Sequence, residues 1–331
     1  MEQVDTQYLP WQADILKRAL ELKHQQHLPH AVLIDTTSEQ DISSFARYLS
    51  TLLLCDKPDD LRTCGSCQAC RMMQAGTYAD FNLVTLEQNE KTKKTNKNIN
   101  IEQIRNLIHE VSLTRNYERL KIAAIYPAES MNKSSANALL KTLEEPAPQV
   151  LLILLTHNRG RIPVTLRSRC QYWSLNPPTR VEALEWLDKQ GIEAETALSY
   201  LQFADGDPVL ALHLKQQDYA SLVAQFKARF AQFLRGELSV TDLCRGLLAS
   251  EASIIRRLIN MTLMAYCYRA SGVSADASPV PGADRRSAQA LTDLQLKAQR
   301  QLQIEENNLD LQLQLEDVLI SLKQILTRRL I

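Results

Sequence analysis

Seven cysteines occur in this chain, and four of them form one spaced group, Cys55, Cys64, Cys67 and Cys70, in the pattern C-x8-C-x2-C-x2-C. Four thiolates satisfy a tetrahedral zinc ion, and with every position taken by protein the metal would be structural rather than catalytic. Gly65 and Ser66 suit the tight turn that aims successive sulfurs at one ion. The stretch from Cys55 to Cys64 spans up to ~30 Å when extended, so Cys55 can return to the site from the end of its helix. An iron–sulfur cluster is an alternative, but the bacterial ferredoxin run carries its fourth cysteine three residues after the third, followed by proline. Arg71–Ala75 offers no such ligand, which leaves unmetallated thiols as the other alternative. Cys244 and Cys267 read as small core residues.

The second group is Thr-Leu-Arg-Ser-Arg-Cys, ending at Cys170. A guanidinium is a planar, permanently charged fork suited to phosphate or carboxylate oxygens. The plain alternative for Arg169 is a structural ion pair with Glu144 or Glu145.

The elements around this group are legible. Asn137–Pro146 reads as a helix with Leu139, Leu140 and Leu143 on one face, Glu144 and Glu145 toward water, and Pro146 preventing continuation. Val150–Leu155 has no polar alternation, the signature of a strand buried on both faces of a parallel sheet. Pro163 can open a short helix that carries Arg167 and Arg169 out to a domain edge. Further strands are expected at 31–34, 81–86 and 121–125, and helices at 14–23, 42–53 and 101–111, the last with Asn100 as N-cap.

Strand-then-helix at 31–53 is where a phosphate-binding loop would sit in a nucleotide-binding α/β domain. Such a loop needs glycines, a lysine and a Ser/Thr for Mg²⁺. The connection Asp35–Ile42 has no glycine, no lysine and three carboxylates, which would repel a triphosphate. Gln88–Asn100 holds four lysines, four asparagines and no apolar residue before Ile99, and reads as a polar surface loop.

With 331 residues the chain is long enough for two or three domains. Lys+Arg and Asp+Glu both number 38, whereas a dedicated nucleic-acid binder shows a basic excess. Any contact with DNA is therefore expected to be local or made by partners. The N-terminal Met-Glu-Gln-Val-Asp-Thr-Gln lacks the basic flank and apolar core of a secretory signal. Apolar runs end at about half of the ~18 residues that span a membrane. A cytoplasmic location, reduced thiols and no membrane contact are the expectation.

Asn-Ala-Leu-Leu-Lys-Thr-Leu-Glu-Glu-Pro at 137–146, together with Ser168-Arg169-Cys170, closely resembles the clamp-loader branch of the AAA+ superfamily. The cysteine spacing followed by Met73-Gln74-Ala75-Gly76-Thr77 resembles the zinc module inserted in bacterial clamp-loader subunits. The resemblance implies an α/β AAA+-type parallel-sheet domain over 1–176 with a zinc module at 55–70. A small helical lid over 177–218 and an all-α collar for oligomerisation over 219–331 would follow. It implies that Arg169 is an arginine finger supplied in trans to a neighbour's ATP site, a role worth ~10³–10⁵ in rate among GTPases. The family's acidic pair for Mg²⁺ and water falls on Tyr126 and Pro127, and its sensor arginine on Val209, none of which can serve.

The expectation is a non-catalytic clamp-loader subunit that binds zinc but no ATP. Its partners would be motor subunits (gamma or tau) and the delta subunit, with the sliding clamp and primed DNA reached through the complex. Within the DNA polymerase III holoenzyme it would have no ATPase activity of its own. Two other readings are an ATP-hydrolysing motor subunit, which predicts saturable ATP binding, and a free-standing zinc-dependent DNA-binding protein, which predicts strong salt-dependent DNA binding.

Overall fold

The computed structural model describes residues 8–36, 42–87, 96, 98–113, 120–247, 252–271, 285–303 and 311–327. The chain divides into two compact units, Met1–Leu210 and Ala211–Ile331.

The first unit begins with a 3₁₀ turn at Pro10–Gln12 and helix α1 (Ala13–His24). Strand β1 (Ala31–Thr36), helices α2 (Ile42–Leu54) and α3 (Gln68–Gln74), and strand β2 (Phe81–Val84) follow. Then come α4 (Ile101–Ser112), β3 (Lys121–Ile125), α5 (Lys133–Glu144) and β4 (Val150–Thr156). The series closes with α6 (Val164–Arg167), β5 (Gln171–Leu175), α7 (Arg180–Lys189), α8 (Ala194–Phe203) and α9 (Pro208–Gln216), which runs across the division. The strands form one sheet of order β2-β3-β4-β1-β5, every neighbouring pair parallel.

Alternate residues of β1, β3 and β4 enter different cores, as a period of two requires. Val32 and Ile34 join Leu151, Ile153 and Leu155 against α1, α2 and α3. Ala31 and Leu33 join Leu152 and Leu154 against α4 and α5, with Ile162 and Leu166 around α6. All seven residues of β4 are buried, as expected of an uninterrupted apolar run between two helical layers. Asn100 caps α4 as expected, in a capping box with Gln103. Helix α5 starts earlier than the leucine pattern suggested, because the Asn132 side chain accepts from the Ser135 N–H at 2.8 Å. A buried ion pair, Lys121–Asp80 at 3.4 Å, ties this region together: Lys121 also donates to the Glu110 carbonyl near the end of α4 at 2.8 Å.

Strand β5 has no counterpart in the sequence reading. Only Trp173 and Leu175 point inward while Gln171, Tyr172 and Ser174 are exposed, so two apolar positions were too few to signal it. β5 is an edge strand, paired only with β1.

The second unit is helical in its described residues. It contains α10 (Tyr219–Arg235), α11 (Val240–Leu247), α12 (Ala252–Ser271), α13 (Arg285–Gln303) and α14 (Leu311–Thr327). The sequence pattern from about 287 to 331 reads as one helical segment, whereas its described residues form two helices that pack on one another. Leu311, Leu313 and Leu315 lie in the opening turns of the second of them. Gly236, in the left-handed region, ends α10, and Lys323 donates to the Phe233 carbonyl at 2.6 Å. Phe230 lies 5.5 Å from Phe226 and 6.3 Å from Tyr266 between ring centres, giving this unit an aromatic core. Residues 37–41 of the phosphate-loop position, 88–95 and 97 of the polar loop, and all but Ser271 of the stretch 271–284, which its serines, glycines and two prolines mark as a loop in the sequence, lie outside the described residues. Among the described residues no helix is long and apolar enough to cross a membrane.

Candidate functional site

The four clustered cysteines converge. Cys55 directly follows α2, Cys64 and Cys67 lie in the next loop, and Cys70 sits in the first turn of α3. Their sulfurs all lie within 4.8 Å of one another, and Cys64 Sγ is 4.0 Å from Cys70 Sγ. A tetrahedral ion with metal–sulfur bonds of about 2.3 Å places its sulfurs about 3.8 Å apart, and a disulfide would need about 2.05 Å. The quartet therefore has the size of a metal cage. Backbone N–H groups serve three of the sulfurs: Cys64 donates to Cys55 at 3.3 Å, Cys67 to Cys64 at 3.3 Å, and Cys70 to Cys67 at 3.4 Å.

Those donors favour thiolate. The Cys67 and Ser66 N–H groups lead in pulling the Cys64 thiol down to about 6. Burial pushes Cys55 and Cys70 up. Holding all four as thiolates within one small volume would call for a cation, which a divalent metal could supply. Gly65 makes the turn with φ +66°, a conformation that side chains disfavour. Leu61, Ala69 and Met73 anchor the loop in the first core, and Tyr48 donates to the Leu61 carbonyl at 2.7 Å.

Arg169 lies just beyond α6, at the entry to edge strand β5. Its side chain folds back on the short helix. Nη1 donates to the Thr165 carbonyl at 2.8 Å, an orphan acceptor because the Arg169 N–H bonds to Leu166 O instead. Nη2 meets Glu144 Oε1 at 2.5 Å. Ser168 Oγ lies 3.4 Å from Nη1 and itself donates to the Thr165 carbonyl at 3.2 Å. Arg169 keeps 34% of its side-chain surface open, and Glu144 keeps 50%. The ion pair with Glu144, the plain alternative, forms, and part of the guanidinium stays accessible. Such a pair is held by well under about 1 kcal/mol. Cys170, in contrast, packs toward the second core, and burial pushes its thiol up to about 12. Arg167 has its Nε buried without a partner.

The carboxyl ends of β1, β3 and β4 form the third region, the usual place for a ligand on an open parallel sheet. Here the chain's own groups meet. Tyr126 Oη lies 2.8 Å from His157 Nε2, and His157 Nδ1 lies 3.3 Å from the Thr36 carbonyl. A carbonyl only accepts, so Nδ1 carries a proton, and in that tautomer of the ring Nε2 is the acceptor for the tyrosine hydroxyl. The His157 N–H donates to Glu129 Oε1 at 3.1 Å, and the Tyr126 and His157 rings meet edge to face at 5.6 Å. Tyr126 and Pro127 follow β3 with no carboxylate in their own side chains. Val209 lies in the first turn of α9, where Asp207 Oδ1 accepts its N–H at 2.9 Å. Sequence reasoning missed His157, because a single histidine at a strand exit carries no pattern.

A sequence model of the family described as "DNA polymerase III, delta subunit" matches residues 11–179. DNA polymerase III subunit delta' of Haemophilus influenzae is 30% identical over 231 residues, covering 70% of this chain and 68% of the relative. The subunit of the same name from Pseudomonas aeruginosa is 30% identical over 236 residues, covering 71% of this chain and 69% of the relative. Among solved structures, a DNA polymerase III gamma subunit-related protein from Thermotoga maritima aligns with 95% of this chain and 99% of its own. Its identity is 18% and its TM-score 0.46.

Proposed function

This chain belongs to the delta-prime subunit family of DNA polymerase III, and on that premise we propose that it is a non-catalytic clamp-loader subunit acting through Arg169. The observation that carries the reading is a contrast within one sheet. At the strand ends, Tyr126, His157 and Thr36 engage one another where a nucleotide would be received. At the neighbouring edge, Arg169 stays accessible and loosely held.

In this reading Arg169 completes the ATP site of an adjacent motor subunit (gamma or tau), and the delta subunit lies on the other side. A permanently charged, planar group meets the charge developing on the transferred γ-phosphoryl, a task for which lysine is a poor substitute. The chain itself binds no ATP. The complex opens the sliding clamp and loads it onto primed DNA. Residues 1–176 form the AAA+-like domain, 177–218 a lid and 219–331 a collar for assembly. Cys55, Cys64, Cys67 and Cys70 would hold structural Zn²⁺, whose charge offsets the gathered thiolates. The location is cytoplasmic, where the thiols stay reduced.

The test is reconstitution of the full chain with motor and delta subunits on primed DNA. Arg169→Ala is expected to leave assembly intact and to lower DNA-stimulated ATP hydrolysis. Unchanged turnover removes the finger assignment. Calorimetry of the isolated chain is expected to detect no saturable ATP binding, and saturation would instead favour a motor subunit.

A further inference from the structure

Glu144 stands where helix electrostatics disfavour it. It is the last residue of α5, with Glu145 immediately after, so two carboxylates lie at the negative end of the helix dipole. Only Lys141 in that last turn has the favourable sign. A local rule broken at one position marks a residue retained for something else. What Glu144 gains is the Arg169 guanidinium, across 25 residues of sequence, at 2.5 Å.

We infer that Glu144 is a positioning residue for Arg169, a role that rests on the arginine-finger reading. An exposed arginine samples many rotamers, and that freedom must be lost before its fork can face a phosphate. Here the loss is already taken within the subunit. The Thr165 carbonyl holds Nη1 and Glu144 holds Nη2, fixing the plane of the fork while a third of the side chain stays open. The grip is weak enough for a partner's phosphate to compete with it. Ser168 braces the same carbonyl and touches Nη1, which gives the serine of Ser-Arg-Cys a mechanical reason.

The experiment is steady-state ATP hydrolysis by the reconstituted complex, with this chain carrying Glu144→Ala, Glu144→Gln, Arg169→Ala, or Glu144→Ala with Arg169→Ala. Turnover is read against ATP concentration. Glu144→Ala is expected to lower the Arg169-dependent part of kcat by about two- to fivefold, the effect of an exposed pair. KM for ATP should not change, since an interaction realised only in the transition state acts on kcat. Glu144→Gln keeps an acceptor oxygen at the same reach and is expected to recover at least half of that loss. The double variant should equal Arg169→Ala alone, since the two residues act as one unit.

If Arg169→Ala slows turnover and Glu144→Ala does not, the positioning role falls and the finger stands. If the two losses add independently, Glu144 acts elsewhere and the role also falls. If Arg169→Ala has no effect, finger and positioning residue fall together. Should Glu144→Ala impair assembly, Glu144→Gln in an assembled complex decides: near-full turnover upholds the role, and a loss equal to that of Arg169→Ala overturns it.

Discussion

Around Cys55, Cys64, Cys67 and Cys70 the donors to sulfur are backbone N–H groups, and two of the four side chains are buried. Around Arg169 the partners are the Glu144 carboxylate, the Thr165 carbonyl and the Ser168 hydroxyl, and a third of the side chain stays open. The first arrangement is fixed by the path of the chain and turned inward. The second is fixed by side chains and left open. A centre that closes on itself suits a structural metal, whereas a charge proposed to serve a neighbour would have to be ordered without being consumed at home.

Removing metal ligands tests the closed side of this contrast and should have the largest effect. Cys64→Ser with Cys67→Ser is expected to reduce bound zinc from about one per chain to none and to lower Tm. Stoichiometric zinc in the purified double variant, measured by atomic emission, would refute the ligand set. On the open side, if Arg169 serves as the proposed finger, Arg169→Ala is expected to lose ~10³-fold or more at the one ATP site it would complete, and much less of the summed turnover. Its stability should shift by no more than about 0.5 kcal/mol. A Tm well below that of the parent would mean the arginine is structural after all.

Gly65→Ala sharpens the claim that backbone geometry builds the metal cage. Its Cβ would meet nothing within 4 Å, so the expected loss of about 1–2 kcal/mol comes from φ +66° alone. A chelator titration that shows unchanged zinc retention would count against it. Tyr126→Phe removes the hydrogen bond to His157 and is expected to cost about 0.5–1.5 kcal/mol by chemical denaturation. It should create no ATP binding. Saturable binding by this variant would show that the tyrosine was masking a working pocket.

Much of this was legible in the residues. The C-x8-C-x2-C-x2-C spacing gave the quartet, since thiols so close in sequence have few other ways to be arranged. The apolar run at 150–155 and the leucines of the following-strand helices gave the sheet its centre and its two covers. Strand β5 was not legible, because an edge strand with two inward residues carries almost no periodic signal. The Tyr126–His157 contact joins positions 31 residues apart, and nothing in either neighbourhood points to the other.

By itself the sequence determined which residues could carry charge or hold a metal, and its composition argued against a phosphate-binding loop at Asp35–Ile42, because these depend on residue type and local spacing. Tertiary structure alone decided that Glu144 reaches Arg169 and that His157 meets both Tyr126 and Thr36. These are contacts between the ends of different elements. Their distances follow from how the strands align and where each helix stops, which no short window of sequence contains.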